Sequence, residues 1–124
     1  MKPDLYLDVD GVMLHFNPIQ EYSEEVNVWL LDLLINNRDR FANIYWLSCW
    51  TLNANTDQLY LEHELLKVLK AIPLKWKENK TEAINWNRPF IWIEDGITKE
   101  ERKIFNEKAR IGQQVWEIRN KWRI

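Results

Sequence analysis

Two pairs of acidic residues stand at equivalent places in the sequence, each directly after a short apolar run. The first pair is Asp8 and Asp10, and the second is Glu94 and Asp95. Carboxylates held close together repel one another and raise each other's pKa values, and a bound cation relieves that repulsion. Mg²⁺ suits such a cluster because it prefers a few carboxylate oxygens together with several waters. The four acids therefore predict a magnesium site if the fold brings them together.

Three further features would complete a site for a phosphate group. Ser48 also follows an apolar run, and its hydroxyl can donate a hydrogen bond to a phosphate oxygen. The turn at Gly11 offers backbone N–H groups in a concave arrangement that suits an anion. A lysine would balance the negative charge, and Lys75, Lys77 and Lys80 all lie between the second and the last of the strand-like apolar runs. A carboxylate nucleophile beside a metal and a phosphate cradle is the outline of an aspartyl-phosphate site.

The apolar runs predict the elements that position these residues. Strands are expected at residues 5–7, 44–47, 72–74 and 90–93, the third of them a short edge strand. Helices are expected at residues 23–36, 57–70, 81–87, 98–109 and 113–122; no convincing fifth strand follows Asp95, and whether one exists stays open. Strands alternating with helices indicate an α/β sandwich with a mostly parallel sheet. Because right-handed crossovers place the carboxyl ends of such strands at one edge, we expect the acids and Ser48 to converge there.

Composition bounds the class of protein. The chain has 124 residues, 46% of them hydrophobic and 29% charged, which suits one globular domain over residues 1–124. The 17 basic and 19 acidic residues give a net charge of −2, which argues against a dedicated nucleic-acid clamp. No apolar stretch approaches the roughly 18 residues of a membrane helix, and Asp4 interrupts any signal peptide. We expect a cytoplasmic protein with no membrane partner.

Cysteine and tryptophan usage adds two expectations. Cys49 is the single cysteine, so it forms no internal disulfide, and we expect it to pack rather than to act as a nucleophile. Most of the eight tryptophans stand beside aliphatic residues and are expected in the core. Trp50 differs because it follows the end of a strand, where it can face a site.

The order of these features resembles that of the haloacid dehalogenase (HAD) superfamily. The first family motif, an apolar strand followed by D-x-D-G-[VT], matches residues 5–12. A strand ending in Ser48 matches the second motif, and Lys80 is the best fit to the lysine of the third, with Lys77 second. A strand that ends in the acids Glu94 and Asp95 matches the fourth. Four motifs in this order make the resemblance more specific than any one of them alone.

The resemblance covers about residues 4–98 and implies a three-layer Rossmann-like HAD fold with a mostly parallel sheet. Residues 46–51 and 88–93 look most like the small uncapped HAD domains related to those attached to RNA-repair proteins. A folded cap needs roughly 40 residues or more beyond the core elements. Neither the gap at 11–47 nor the gap at 49–79 leaves that room, so no cap domain is expected.

The resemblance also implies a role for each matching residue. Asp8 would be the nucleophile that attacks phosphorus, while Asp10 would protonate the leaving oxygen and then activate water. Ser48 and Lys80 would bind the transferring phosphoryl group. Positioning and charge neutralisation supply most of the catalysis in such transfers. The implied activity is that of a phosphatase, a hydrolase that forms a phosphoaspartate on Asp8.

Mg²⁺ is the cofactor that the resemblance implies. Asp8, the backbone carbonyl of Asp10, and Asp95 would hold the ion. Glu94 stands where the family commonly has aspartate, which lengthens one arm of the site by a methylene. It would meet the metal through a water molecule or pair with Lys80.

Other interpretations of the same residues stay open. Asp8 and Asp10 could belong to a Ca²⁺ loop or to a plain Asp-rich turn, although Val12 stands where an EF-hand needs a ligand. Glu94 and Asp95 could be an acidic pair near a helix start. The alternative to an enzyme is a catalytically weak HAD-like module that binds a phosphorylated partner. Intact Asp8 and Asp10 favour the enzyme, since a silent module is free to lose either.

The substrate is a phosphorylated compound whose identity the sequence does not give, and the oligomeric state is equally undetermined. Without a cap, only residues 12–22, which include His15, Phe16 and Tyr22, could form a flap over the site. An open site excludes water poorly by itself, so we expect a large substrate such as a nucleic-acid end or a phosphoprotein. The lysines of residues 67–80 are either a solvated face or a rim for nucleic acid.

Overall fold

The computed structural model describes residues 1–17 and 23–118. Its strands are β1 (Asp4–Leu7), β2 (Leu14–Asn17), β3 (Ser23–Val26), β4 (Ile44–Trp46), β5 (Ile72–Pro73), β6 (Phe90–Glu94) and β7 (Gln113–Glu117). Its α-helices are α1 (Val28–Asn36), α2 (Asp57–Glu62) and α3 (Lys99–Lys108). Turns of 3₁₀-helix occupy Arg38–Arg40, Cys49–Thr51, Glu64–Leu69 and Lys80–Ala83. In the described ranges, no helix has the length and apolarity needed to cross a membrane.

The main sheet places β1 at its centre. Within the described residues it has five strands in the order β5-β4-β1-β6-β7, and every pair of neighbours is parallel. The chain moves outward from β1 through β4 to β5, then returns to the other side of β1 for β6 and β7. Ligands of open α/β sheets bind at the carboxyl ends of the strands where the order reverses. The predicted α/β class with a mostly parallel sheet is confirmed.

Both faces of the sheet are covered, because alternate side chains of a buried strand point to opposite faces. Leu5 and Leu7 of β1 pack with leucines of α1 and α2 in one core cluster. Tyr6, between them, packs on the other face with Phe90 and with Phe105 of α3. The central strand is thereby fixed from two sides, and the residues that follow it start from a rigid base.

The prediction of a helix over 113–122 was wrong for its described part, and the fifth strand, whose existence was left open, lies there. Residues 113–117 form β7, which pairs in parallel with β6 and continues with a hydrogen bond from the Ile118 N–H to the Glu94 carbonyl. The free edge of β6 supplies the partners that decide between helix and strand. Val115 then packs into one core cluster, while Trp116 is 47% exposed on the opposite face. Residues 119–122 lie outside the described ranges.

The helix predicted to start at Ser23 begins later. Residues 23–26 form β3, which pairs antiparallel with β2, and α1 starts at Val28. The Asn27 side chain caps α1 by accepting a hydrogen bond from the Leu30 N–H at 3.1 Å. The β2–β3 hairpin occupies the place expected for a flap, with His15 Nε2 3.8 Å from Glu25 Oε2. Residues 18–22, which include the expected flap residue Tyr22, lie outside the described ranges.

The remaining elements agree in part with the prediction. Helix α3 and the edge strand β5 are confirmed. The helix predicted over 57–70 divides into α2 and a 3₁₀ segment that ends where Lys70 takes a left-handed φ of +51°. The helix predicted over 81–87 is a single 3₁₀ turn at Lys80–Ala83. These corrections concern helix geometry and leave the order of the elements unchanged.

The tryptophans are less uniformly buried than predicted. Trp46 and Trp92 are fully buried in the two clusters, as expected of core residues. Trp29 is 74% exposed on α1, so the core assignment was wrong for it and for the half-exposed Trp116. Neighbouring aliphatic residues did not reveal the exposure because helix α1 has a solvent face. Trp122 lies outside the described residues.

Candidate active site

The carboxyl ends of β1, β4 and β6 meet beside a cleft of about 360 Å³. Its lining residues are Asp8, Asp10, Cys49, Trp76, Glu78, Asn79, Lys80, Glu94, Asp95, Gly96, Thr98 and Glu101. All four predicted acids are therefore brought to one cleft, together with Lys80. A larger depression of about 830 Å³ lies along α2. The charged residues in its lining, Asp57, Glu64 and Lys67, are all exposed. The cleft at the strand ends differs because charged residues in its lining, Asp8, Lys80 and Glu94, are buried.

Lys80 forms ion pairs with two buried carboxylates. Its Nζ lies 2.8 Å from Glu94 Oε2 and 3.3 Å from Asp8 Oδ1. Lys80, Glu94 and Asp8 are 8%, 3% and 5% exposed. Charges taken this far from water are stable only when they are paired and hydrogen-bonded. Between the two candidate lysines the structure places Lys80 in the cleft, whereas Lys77 is exposed and is not among the lining residues.

The pKa values of this group reflect its burial. The pKa of Glu94 is raised to about 8, chiefly by burial and in addition by the adjacent Asp8, against the opposing effect of Lys80. Burial alone would lower the pKa of Lys80, but the charges of Asp8 and Glu94 outweigh it, so that pKa is raised. Lys80 is therefore cationic at neutral pH. Glu94 holds a proton far more readily than an ordinary glutamate does.

Glu101 fixes the segment that carries Lys80. Its Oε2 accepts a hydrogen bond from the Lys80 backbone N–H at 3.1 Å, and its Oε1 accepts one from the Thr98 N–H at 2.9 Å. The Thr98 hydroxyl in turn accepts from the Glu101 N–H at 3.0 Å, which completes a capping box at the start of α3. This buried carboxylate was missed in the sequence, although Thr-x-x-Glu before a helix is a readable capping signal. The hydrogen bond from the Lys80 N–H to Glu101 joins distant residues and could not be predicted from the sequence.

The turn after β1 brings Asp95 against the backbone of Gly11. Gly11 has φ +79°, and a Cβ added there would lie 2.4 Å from Asp95 Cγ. Asp8 begins the same turn, with its Oδ1 accepting a hydrogen bond from the Val9 N–H at 2.8 Å. Glycine is needed both for the left-handed backbone and for the close approach. The two acidic loops thus touch at a position where any side chain would separate them.

Ser48 is fully buried, and it is not among the lining residues of the cleft. Its Oγ accepts a hydrogen bond from the Trp50 N–H at 3.2 Å, while its own N–H donates to Thr51 Oγ1 at 3.2 Å. Trp76 Nε1 donates to the Ser48 carbonyl at 2.7 Å. The serine therefore caps the 3₁₀ turn at Cys49–Thr51, a role that the sequence prediction of a phosphate ligand did not include.

Two residues of that 3₁₀ turn contribute to the site. Cys49 is exposed and lines the cleft, so the prediction that it packs in the interior was wrong. The turn lifts its side chain out of the apolar run that precedes it. Trp50 extends its indole to Asp10, with Nε1 3.3 Å from Asp10 Oδ1. Trp50 therefore does face the site, as its position after a strand predicted.

The donor set determines which cation suits the cleft. Among the described residues, no three or more His, Cys, Asp or Glu residues form a group that could by itself hold a metal ion. The Lys80 ammonium already pairs with Asp8 and Glu94. Asp8, Asp10 and Asp95 line the cleft and carry hard oxygen donors of the type that Mg²⁺ accepts. In donor chemistry the residues fit Mg²⁺.

Comparisons with protein-family models, curated proteins and solved structures found no match to this chain. The cleft itself offers a buried carboxylate beside an ammonium group and an exposed carboxylate at its mouth. A buried carboxylate is suited to nucleophilic attack, an ammonium to binding an anion, and an exposed acid to proton transfer. These are the types of group that transfer of a phosphoryl group to water requires.

Proposed function

We propose that this chain is an Mg²⁺-dependent phosphohydrolase of the HAD type, with a three-layer Rossmann-like HAD core and no cap domain. The observation that carries the proposal is the geometry around Asp8. It follows the central strand, lies 3.3 Å from Lys80 Nζ, and shares the cleft with Glu94 and Asp95 from the neighbouring strand. Residues of three of the four motifs, namely the Asp8 turn, Lys80 and the Glu94–Asp95 pair, share this cleft, which supports the proposal, whereas Ser48 of the second motif lies outside its lining.

The proposed reaction has two steps. Asp8 attacks phosphorus and forms an aspartyl phosphate, while the bond from phosphorus to the leaving oxygen breaks and Asp10 gives that oxygen its proton. Asp10 then takes a proton from water as the water attacks phosphorus, which releases inorganic phosphate and regenerates Asp8. The cationic Lys80 offsets negative charge on the phosphoryl group in both steps. Asp10 therefore ends each cycle protonated, as it began, with a proton that came from the attacking water.

Asp8, Asp95 and the backbone carbonyl of Asp10 would hold Mg²⁺ in this proposal. The ion supplies positive charge that offsets the charge of the phosphoryl oxygens. Of the two roles implied for Glu94, the 2.8 Å distance to Lys80 supports pairing with the lysine. Glu94 then acts by holding the Lys80 ammonium beside Asp8.

The substrate in this proposal carries its phosphate on a macromolecule, such as a nucleic-acid end or a phosphoprotein. The β2–β3 hairpin begins at Leu14, which bridges to Asp10, but no hairpin residue lines the cleft, so within the described residues we assign the cleft no cover. Of the lysines expected to form a rim, Lys75 and Lys77 are exposed in the segment that leads to Lys80 in the cleft, whereas Lys67 lines the separate depression along α2 and Lys70 precedes the start of β5 at the opposite edge of the sheet. Comparing kcat/KM for a phosphorylated oligonucleotide, a phosphopeptide and their monomers tests this part of the proposal.

The decisive experiment for the activity is hydrolysis of an aryl phosphate with and without Mg²⁺. The Asp8→Asn variant keeps the shape of the nucleophile and removes its charge, so it should abolish turnover. Asp32→Asn makes the same change at an exposed position of α1 and should leave turnover unchanged. Wild-type rates in Asp8→Asn, or equal rates without metal, would contradict the proposal.

A catalytically weak module that binds a phosphorylated partner is the second candidate. The observations that favour it are the burial of the Ser48 hydroxyl in a capping role and the pairing of Lys80 with two carboxylates. Both features leave fewer groups free for a phosphate than an efficient phosphatase needs. Titration calorimetry with a phosphopeptide would separate the two, because binding without Mg²⁺-dependent turnover is the result that favours the module.

A further inference from the structure

Trp50 touches the site through a contact that the proposed reaction does not yet use. Its indole Nε1–H donates a hydrogen bond to Asp10 Oδ1 at 3.3 Å. Asp10 is exposed and lines the cleft. Among the described residues, the Trp50 indole is the side chain that donates a hydrogen bond to the Asp10 carboxylate. An exposed aspartate without such a partner moves among several staggered side-chain conformations. The bond therefore selects one orientation of the carboxylate.

The tryptophan is held more firmly than the aspartate. Its ring is partly buried and packs against the core cluster on one face of the sheet. Its backbone N–H donates to the buried Ser48 Oγ at 3.2 Å, and Thr51 closes the same cap by accepting from the Ser48 N–H. The hydrogen bond to Ser48 and the core contacts hold Trp50 in place, and the Trp50 indole in turn orients the exposed Asp10 carboxylate. The buried Ser48 hydroxyl thus acts on the site indirectly, by holding the residue that orients Asp10.

We propose that Trp50 is a positioning residue that holds the Asp10 carboxylate in place for proton transfer to the leaving group. The indole occupies Oδ1 and leaves Oδ2 to carry the proton. The Oδ2–H bond breaks as the leaving oxygen gains the proton and separates from phosphorus, and Oδ2 regains a proton from the attacking water. This inference rests on the proposed phosphatase activity and adds to it the residue that orients its general acid.

The test uses two substrates that differ in their need for a proton. An alkyl phosphate must be protonated as its bond breaks, whereas nitrophenolate leaves readily as an anion. Because kcat/KM reports the steps up to departure of the leaving group, Trp50→Phe should lower it about tenfold for the alkyl phosphate and less than about twofold for nitrophenyl phosphate, a fraction of the usual general-acid contribution. Trp29→Phe makes the same change at a 74% exposed position and should alter neither value.

The outcomes separate this inference from the proposed function. Wild-type turnover that Asp8→Asn abolishes, combined with an equal loss or no loss on both substrates in Trp50→Phe, overturns the role of Trp50 alone. If the wild-type protein turns over neither the alkyl phosphate nor nitrophenyl phosphate, both the phosphatase proposal and the role of Trp50 are contradicted. A selective loss on the alkyl phosphate supports both.

A second measurement serves if Trp50→Phe does not fold, as judged by its thermal unfolding. The indole N–H resonance of Trp50 is followed by NMR in the wild-type protein and in Asp10→Asn. Removal of the carboxylate charge should shift that resonance upfield, while the resonance of the exposed Trp29 stays in place. An unchanged Trp50 resonance shows that the bond does not form in solution and overturns the inference.

Discussion

Replacing Lys80 with methionine removes the charge at the centre of the site while it keeps most of the side-chain length. The change leaves Asp8 and Glu94 facing each other without a cation, and their side chains are only 8% and 4% exposed, so water replaces the ammonium poorly. Removing one partner of a buried ion pair typically lowers the free energy of unfolding by about 3–5 kcal/mol. Because the pKa of Glu94 is about 8, that residue already holds a proton at pH 7, so the variant does not set two full negative charges against each other and the loss is limited. We therefore expect the lower end of the range, about 3 kcal/mol, in the metal-free protein.

Urea denaturation of metal-free protein measures this change, with Lys77→Met as the control at an exposed neighbouring lysine. The loss in Lys80→Met should be smaller at pH 5 than at pH 7 and larger above pH 8, because protonated carboxyl groups do not repel one another. Lys80→Met combined with Glu94→Gln should recover part of the stability. If Lys80→Met were no less stable than Lys77→Met at pH 7, the buried ion-pair account of this site would be wrong.

Three further predictions follow from the acidic loops. Gly11→Ala places a Cβ against Asp95 at a left-handed φ and should lower the free energy of unfolding by about 1–3 kcal/mol, whereas Gly96→Ala meets open space and should change it little by urea denaturation. Because Glu94 binds its proton more tightly in the folded than in the unfolded protein, the stability of metal-free wild type should fall as pH rises from about 4.5 to 8, and Glu94→Gln should flatten that fall in thermal melts across pH. Asp95→Ala should weaken Mg²⁺ binding far more than Glu94→Ala, because a direct ligand contributes more than a residue acting through Lys80; equal losses in titration calorimetry would contradict that assignment.

The residues that the sequence placed correctly are those whose position follows from strand ends. Asp8, Glu94 and Asp95 each end or follow a strongly apolar run, and parallel strands must bring their carboxyl ends to one edge. Lys80 could be chosen over Lys77 only by its place in the order of motifs. For Asp8, Glu94 and Asp95 the local pattern alone was enough, because the strands that position them are buried and regular.

The features that the sequence did not reveal depend on contacts between distant segments. The strand β7 forms because the free edge of β6 accepts it, although residues 113–117 also fit a helix. The bond from Trp50 to Asp10 joins residues 40 positions apart, and the one from Lys80 to Glu101 joins residues 21 positions apart. Such pairings are set by packing of the whole sheet and not by local propensity.

The central claim is that Asp8 carries the phosphoryl group during turnover, and rapid acid quenching tests it most directly. Protein mixed with Mg²⁺ and an aryl phosphate radiolabelled in the phosphoryl group is quenched within the first turnover, digested and mapped by mass spectrometry. The account predicts a hydroxylamine-labile phosphoryl label on the peptide that contains Asp8, absent from Asp8→Asn and absent when Mg²⁺ is removed. Turnover without any covalent label, or a label on a residue other than Asp8, would contradict it.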